Sequence, residues 1–233
     1  AATILLLCGY AAGAEERRVA LVVGNANYVN APRLATSIND AEDIADALTR
    51  LGFDIVLRRD ATAADLRSAI EEFSLKSSKA DIAIVYYAGY SLNVGVGGYL
   101  VPIDARLSAP SELRAETIPL RHVMFGAGKA HSLGLVVLDA LHGNPFPIEA
   151  ESLSIDPGAD AASSRSGGAR NVLLLFATEP KKISVQGHGR NSPLAAALLE
   201  NLPKPDLEIN FLLRNVRDHV RHATHSEQTP YMY

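Results

Sequence analysis

Sulfur and long apolar runs are both scarce in this chain. Its 233 residues include one cysteine, Cys8, and two methionines, and they contain no tryptophan. A single thiol excludes an intrachain disulfide framework and a cysteine-ligated zinc centre. No run of 18 or more apolar residues occurs, so the sequence predicts no membrane-spanning helix.

Neither sign of charge is in large excess. The chain has 22 lysines and arginines against 26 aspartates and glutamates, which gives a net charge of −4. The two signs are interspersed, and this argues against nucleic acid or an anionic membrane as the main partner. With 48% hydrophobic residues, a chain of this length can bury the core of one large domain.

The first residues resemble an export signal. A short apolar run, Ile4–Leu7, is followed by small residues up to Ala14, as at a signal-peptide cleavage site. We therefore predict a truncated signal peptide at residues 1–14, one domain at residues 15–233, and export to the periplasm or the extracellular space. An edge strand or a disordered terminus is the alternative interpretation. Because Cys8 lies in this segment, the exported domain would contain no thiol, which fits an oxidising compartment.

Strand and helix patterns alternate along the domain. Five apolar segments are typical of buried strands: RRVALVVGN, FDIVLRR, ADIAIVYYAG, LGLVVLDA and NVLLLFAT. The first helix between them is predicted to begin with a capping box from Ser37 to Asp40, and the second is predicted to begin at Thr62. The alternation predicts an α/β fold with a doubly wound, mostly parallel sheet of about six strands flanked by helices. A polar loop at 147–170 is predicted to be flexible, and the last residues, TPYMY, predict a short further strand.

In such a sheet, a functional site lies at the carboxyl ends of the strands. YYAGYS follows the third predicted strand and DALHGNPF follows the fourth. If these two strands are neighbours, Tyr90 and Leu141 face each other.

Seven segments, in this order, resemble the caspase and metacaspase superfamily, above all bacterial metacaspase-like proteins. They are VALVVGNANY, SINDAEDIADALTRLGFDIV, YYAGYS, YLVPIDARL, LDALHGNPF, LLLFATEP and GRNSPLAAALLENL, and the resemblance extends over residues 18–225. It implies a caspase-like α/β fold and descent from cysteine peptidases.

The same resemblance implies a degenerate catalytic dyad. Family members carry Y-A-G-H-G and D-A-C-R-D-N-P-F at the two strand ends. By position, Tyr90 stands for the catalytic histidine, Leu141 for the catalytic cysteine, and Ser91 for a glycine of the oxyanion site. Leucine has no lone pair, and a tyrosine with a pKa near 10 is ionised to about one part in a thousand at neutral pH. We predict a pseudoenzyme that does not cleave peptides.

A protein that has lost its catalytic residues can still bind the substrate of its family. Metacaspase-like relatives bind Arg or Lys in an acidic S1 pocket, and the resemblance places Asp40 and Asp139 in that role. In the alternative interpretation, Asp40 only caps a helix and Asp139 only accepts from loop amides. The predicted partner is a basic peptide or protein, or an active homologue, and the oligomeric state is left open.

In a second functional hypothesis, the protein is an enzyme. In it, an active hydrolase reuses the cleft through Ser91, His142 or Tyr90 in place of a cysteine. A plain α/β ligand-binding module, similar to the family in architecture alone, is a third hypothesis.

Three histidines are the candidate metal ligands in the sequence. His219, His222 and His225 recur every three residues near the end of the chain, where they form either a metal-binding face or a solvated helix end favoured by the helix dipole. No cofactor is predicted, and calcium is implied by the resemblance alone.

Overall fold

The computed structural model describes residues 16–94, 97–141, 145–146, 171–179, 187, 189–204 and 208–233. The signal peptide predicted at 1–14, the loop predicted at 147–170 and His142 lie outside these residues. No helix in the described part of the chain is both long and apolar enough to cross a membrane.

The strands form one sheet, and its main path has the order β2-β1-β3-β6-β7-β8. The strands of the described residues are β1 (Arg18–Gly24), β2 (Phe53–Arg59), β3 (Ile82–Val94), β4 (Gly97–Leu100), β5 (Ile118–Pro119), β6 (Leu133–Leu141), β7 (Val172–Phe176) and β8 (Tyr231–Met232). Neighbours along the path from β2 to β7 are parallel, whereas β8 runs antiparallel to β7. Strand β4 pairs antiparallel with β3 and β5. The predicted mostly parallel, doubly wound sheet is confirmed.

Helices cover both faces of the sheet. Those in the described residues are α1 (Ser37–Arg50), α2 (Ala63–Ser77), α3 (Leu113–Glu116), α4 (Leu120–Ala127), α5 (Pro193–Asn201) and α6 (Ile209–Ala223). Apolar residues of α2 and α4 pack with one face of the strands around the fully buried Phe73. Residues of α1, α5 and α6 pack with the other face.

The starts of the first two helices differ from each other. Helix α2 begins at Thr62 with the predicted capping box, in which the Thr62 and Asp65 side chains accept from each other's backbone N–H. The capping box predicted from Ser37 to Asp40 is wrong, because Thr36 is the N-cap of α1 and makes no side-chain cap bond. The carboxylate of Asp40 accepts from the Thr36 side chain and also from the backbone N–H of Ser192, a residue far along the chain.

Strand periodicity decides which side chains reach the same layer. In β3, Tyr86 belongs to the cluster under α1, α5 and α6, whereas Tyr87 belongs to the cluster under α2 and α4. In β6, Leu138 and Ala140 lie in the α2 and α4 cluster. Because successive side chains alternate, Asp139 points to the α1 and α5 side, as Tyr86 does. The alternation of side chains therefore places Asp139 and Tyr86 on the same face of the sheet, next to α1.

The C-terminal residues add a strand at one edge of the sheet. Tyr231 pairs with Phe176 and Met232 with Leu175. The side-chain amide of the fully buried Gln228 donates to the carbonyl of Ala177 at 2.8 Å, which holds the approach to β8 against the end of β7. The short strand predicted from TPYMY is therefore present.

Candidate functional site

Strands β3 and β6 bring the two degenerate dyad positions together. The strands are adjacent and parallel, and their register pairs Tyr90 directly with Leu141. Strand β6 ends at Leu141, whereas β3 continues past Tyr90 to Val94. The positions thus meet across neighbouring backbones, as the order of the strands in the sequence predicts.

Tyr90 is buried among other aromatic rings. It is 3% exposed, and its ring meets those of Tyr28 and Phe146 edge-on at centroid distances of 4.9 and 6.2 Å. Its hydroxyl donates to the carbonyl oxygen of Pro32 at 3.2 Å. Burial raises the pKa of Tyr90 above its usual value. The phenol is therefore neutral at physiological pH and is a donor there, which is the opposite of what a general base needs.

Two further tyrosines hold the backbone at this strand end. The hydroxyl of Tyr28 accepts from the Tyr90 N–H at 2.8 Å, and the Tyr87 hydroxyl shares its proton between the carbonyls of Tyr90 (2.8 Å) and Val101 (2.9 Å). A Cβ at Gly89 would lie 2.6 Å from the Tyr28 hydroxyl and 2.7 Å from that of Tyr87. Burial raises the pKa of both phenols. Sequence reasoning missed this network, although a glycine among closely spaced tyrosines was its signal.

Ser91 has a structural position in the hairpin of β3 and β4. It is 7% exposed and pairs with Leu100 in the antiparallel register. Its suggested partner, His142, lies outside the described residues. The hydrolase hypothesis stays a prediction.

Asp40 and Asp139, which we call the acidic pair, are brought together by one serine. Asp40, on α1, is 1% exposed, and its Oδ1 accepts from the backbone N–H of Ser192 at 2.9 Å. Asp139, on β6, accepts at Oδ2 from the Ser192 hydroxyl and from the Tyr86 hydroxyl, the latter at 2.7 Å. Ser192 therefore donates one hydrogen bond to each carboxylate.

The surroundings make negative charge costly for the acidic pair. Burial, and after it the charge of Asp139, raise the pKa of Asp40 to about 7, although hydrogen bonds from Thr36 and Ser192 partly oppose this. Burial also raises the pKa of Asp139, against hydrogen bonds from Ser192 and Tyr86. All these donors are neutral. A cation beside the pair would supply the charge compensation that they cannot give.

The residues before Ser192 are tied to the exposed side of α1. The guanidinium of Arg190 donates to both oxygens of Asp43, from Nε at 2.8 Å and from Nη2 at 2.9 Å. Asn191 Nδ2 donates to Asp43 at 2.9 Å, and Asn39 Nδ2 donates to the Arg190 carbonyl at 3.2 Å. These contacts were not predicted from the sequence. The only signal was the segment GRNS before a helix, which does not identify its partners.

The three histidines considered as metal ligands form no metal centre in the described residues. His219 on α6 lies 3.1 Å from a carboxylate oxygen of Glu200 on α5, which is an ion pair when the imidazole is protonated. His222 and His225 are exposed. Within the same residues, no group of three or more His, Cys, Asp or Glu side chains is arranged to hold a metal ion.

The parallel sheet, its two helical layers and the paired strand ends at Tyr90 and Leu141 define an α/β protein of the caspase type. A family model described as "Caspase domain" matches residues 17–233. The chain therefore belongs to the caspase domain family, a family of caspase-like and paracaspase-like peptidases.

Two curated relatives and one solved structure are similar to the chain. The human mucosa-associated lymphoid tissue lymphoma translocation protein 1 (Homo sapiens) is 33% identical over 99 residues, which are 42% of this chain and 12% of that protein. Its homologue from Mus musculus is 31% identical over 99 residues, 42% of this chain and 11% of that protein. The match thus spans about an eighth of the length of these relatives. The structure of protein GSU0716 from Geobacter sulfurreducens superposes with a TM-score of 0.64 at 17% identity, covering 93% of this chain and 92% of that one. At this identity the likeness concerns the fold.

Proposed function

We propose that this protein is a catalytically inactive caspase-like domain that binds a basic peptide segment through the acidic pair. The observation that carries the proposal is that Asp40 and Asp139 both accept hydrogen bonds from Ser192. They do so at the carboxyl-terminal ends of the strands, where Tyr90 and Leu141 are paired. The buried carboxylates have neutral donors as their described partners.

The chemistry of the dyad positions supports inactivity. An alkyl side chain at position 141 offers no electron pair to attack a carbonyl, and the Tyr90 phenol is buried as a hydrogen-bond donor. Losing the nucleophile of a concerted catalytic unit costs on the order of a millionfold in rate, and losing its base as well adds little. Peptide cleavage by the cysteine mechanism is then negligible.

The chemistry of the acidic pair supports binding of a cation. Asp139 Oδ1 accepts no hydrogen bond from the described residues, since both of its donors contact Oδ2. A guanidinium presents parallel N–H groups to such an acceptor and brings the compensating charge. Each charge-assisted hydrogen bond contributes about 1.5–3 kcal/mol when it is made away from bulk water.

The ligand that we propose is a segment containing arginine or lysine, either a free peptide or part of an active homologue. Export to the periplasm or the extracellular space, where such a partner would be met, is part of the proposal. A matched pair of peptides tests the ligand: one ends in arginine, and the other ends in citrulline, which has nearly the same shape without the charge. We expect fluorescence-detected titration to show at least tenfold tighter binding of the arginine peptide.

Matched variants test the site. Asp40→Asn and Asp139→Asn should each weaken binding of the arginine peptide about tenfold or more, because each removes a charge that faces the ligand. Asp46→Asn removes a charge from an exposed residue of the same helix and should leave binding within about twofold. Equal binding of the two peptides, or no binding of either, would refute the proposal.

Reversal of the dyad tests the proposed inactivity. A variant combining Tyr90→His, Ser91→Gly and Leu141→Cys should cleave reporter peptides after arginine or lysine, whereas the parent chain should not. If the folded triple variant binds the arginine peptide without cleaving it, Tyr90 and Leu141 are not the dyad positions of a competent cleft. Cleavage by the parent chain that Ser91→Ala abolishes would favour the hydrolase hypothesis instead.

A further inference from the structure

The geometry points to residues 190–192 as a latch, that is, a segment of the chain that occupies acceptors of the acidic pair when no ligand is bound. The ion pair between Arg190 and Asp43 fastens this segment to α1. We call residues 190–192 the latch segment. The inference deepens the proposed function and rests on it, because it treats Asp40 and Asp139 as the site that a ligand cation enters.

Ser192 donates to one oxygen of each carboxylate that a ligand cation would approach. Its N–H donates to Asp40 and its O–H donates to Asp139, while its Oγ accepts from the N–H of Ala195 as the N-cap of α5. The residue is 4% exposed. Two donors aimed at two carboxylates resemble the fork of a guanidinium. Ser192 is therefore an internal competitor for the acceptors that an arginine would use.

The competition is unequal in charge. Ser192 and Tyr86 donate hydrogen bonds to the carboxylates, but both are neutral and bring no positive charge. An arginine or lysine side chain would compensate that charge as well as supplying donors. The latch segment thus stays bound to the acidic pair without a ligand, and a cation can displace it. A neutral side chain would only replace the hydrogen bonds that Ser192 already donates.

The fastening is at the surface, apart from the buried bonds of Ser192. The Arg190 side chain is 60% exposed and that of Asp43 is 25% exposed. Hydrogen bonds from Arg190 keep the pKa of Asp43 below its usual value, so the pair is ionised at neutral pH. Asn191 and Asn39 add two contacts between the same loop and helix. Losing an exposed ion pair of this kind changes an equilibrium about two- to fivefold, which is enough to loosen the latch without unfolding the domain.

Amide hydrogen exchange tests the latch without any ligand. Arg190→Gln removes the charge that fastens the segment, and Asp43→Asn removes its partner on α1. In either variant we expect exchange at the amides of Ser192 and Ala195 to become about two- to fivefold faster. The matched control is Arg59→Gln, which breaks the 2.6 Å ion pair with Glu42, also on α1, where the two side chains are 52% and 37% exposed. This control should leave exchange at both amides unchanged.

Titration of the same proteins with the arginine peptide completes the test. Arg190→Gln and Asp43→Asn should bind the peptide about two- to fivefold more tightly than the parent chain, and Arg59→Gln should bind it equally well. Unchanged exchange at Ser192 and Ala195 in both latch variants overturns the inference, whatever the peptide does. Faster exchange with unchanged affinity also overturns it, because Ser192 then does not compete with the ligand. Faster exchange in proteins that bind no peptide supports the fastening and refutes the proposed function, so the two failures are distinguishable.

Discussion

Replacing Asp40 by asparagine should remove a large part of the pH dependence of stability. Burial and the charge of Asp139 raise the pKa of Asp40 in the folded protein from 3.8 to about 7. Between these two values the folded chain binds the proton more tightly than the unfolded chain does. The free energy of unfolding therefore falls as pH rises from about 4 to about 7 and levels off above that. Asparagine does not titrate, so the contribution disappears in the variant.

The size of the effect follows from the shift. A pKa difference of about 3 units corresponds to about 4 kcal/mol of differential stability between the protonated and ionised forms. Because Asp40 is 1% exposed, little of this is screened by water. The asparagine variant still offers an oxygen to the Ser192 N–H, so it keeps an acceptor at low pH. Relative to the parent chain, it should become more stable by up to about 4 kcal/mol as pH rises from 4 to 8.

Urea unfolding measured at pH 4.5, 6 and 7.5 gives this difference directly. Asp46→Asn, at an exposed position of the same helix, is the control and should follow the parent chain at every pH. A difference between the parent chain and Asp40→Asn that stays constant over the whole range would refute the assignment of a raised pKa to Asp40.

Three further outcomes are expected. Gly89→Ala should destabilise the fold by about 1–3 kcal/mol in urea, because its Cβ would lie 2.6 Å from the buried Tyr28 hydroxyl; a neutral result would mean that this strand end is not tightly packed. Thr62→Ala should cost about 1 kcal/mol by thermal melting, since it removes the capping box with Asp65; no loss would mean that the cap is not formed in solution. Binding of the arginine peptide should tighten as pH rises from 6 to 8 and should release a proton, measured by calorimetry in buffers of different ionisation enthalpy, because the ligand favours the ionised form of Asp40; affinity independent of pH would contradict this.

The fold was predictable because its information is local and repeated. Apolar strand segments alternate with amphipathic helices, and this pattern specifies a parallel sheet with helices on both faces. The register then pairs Tyr90 with Leu141, as expected if the strands carrying YYAGYS and DALHGNPF are neighbours. The Thr62 cap was also predictable, since all of its partners lie within one turn of α2.

Contacts between distant segments were not predictable in the same way. Asp40 and Ser192 are separated by 152 positions in the chain, and Arg190 and Asp43 by 147. Only the finished packing of α1 against α5 brings them together. The predicted capping box was wrong because the N-cap of α1 is Thr36 and not Ser37, and the sequence did not reveal that Asp40 also accepts from Ser192 at the N-terminus of α5. Sequence reasoning could select the two carboxylates, but it could not find the serine that joins them.

Binding and cleavage of one peptide, measured in the same sample, test the proposed function most directly. A reporter peptide with an internal arginine is incubated with excess protein, and mass spectrometry quantifies bound, free and cleaved peptide. The peptide should be bound, should remain intact, and should be released when Asp40 is replaced by asparagine. Steady formation of product by the parent chain, or a peptide that stays unbound at any protein concentration, would contradict the proposal.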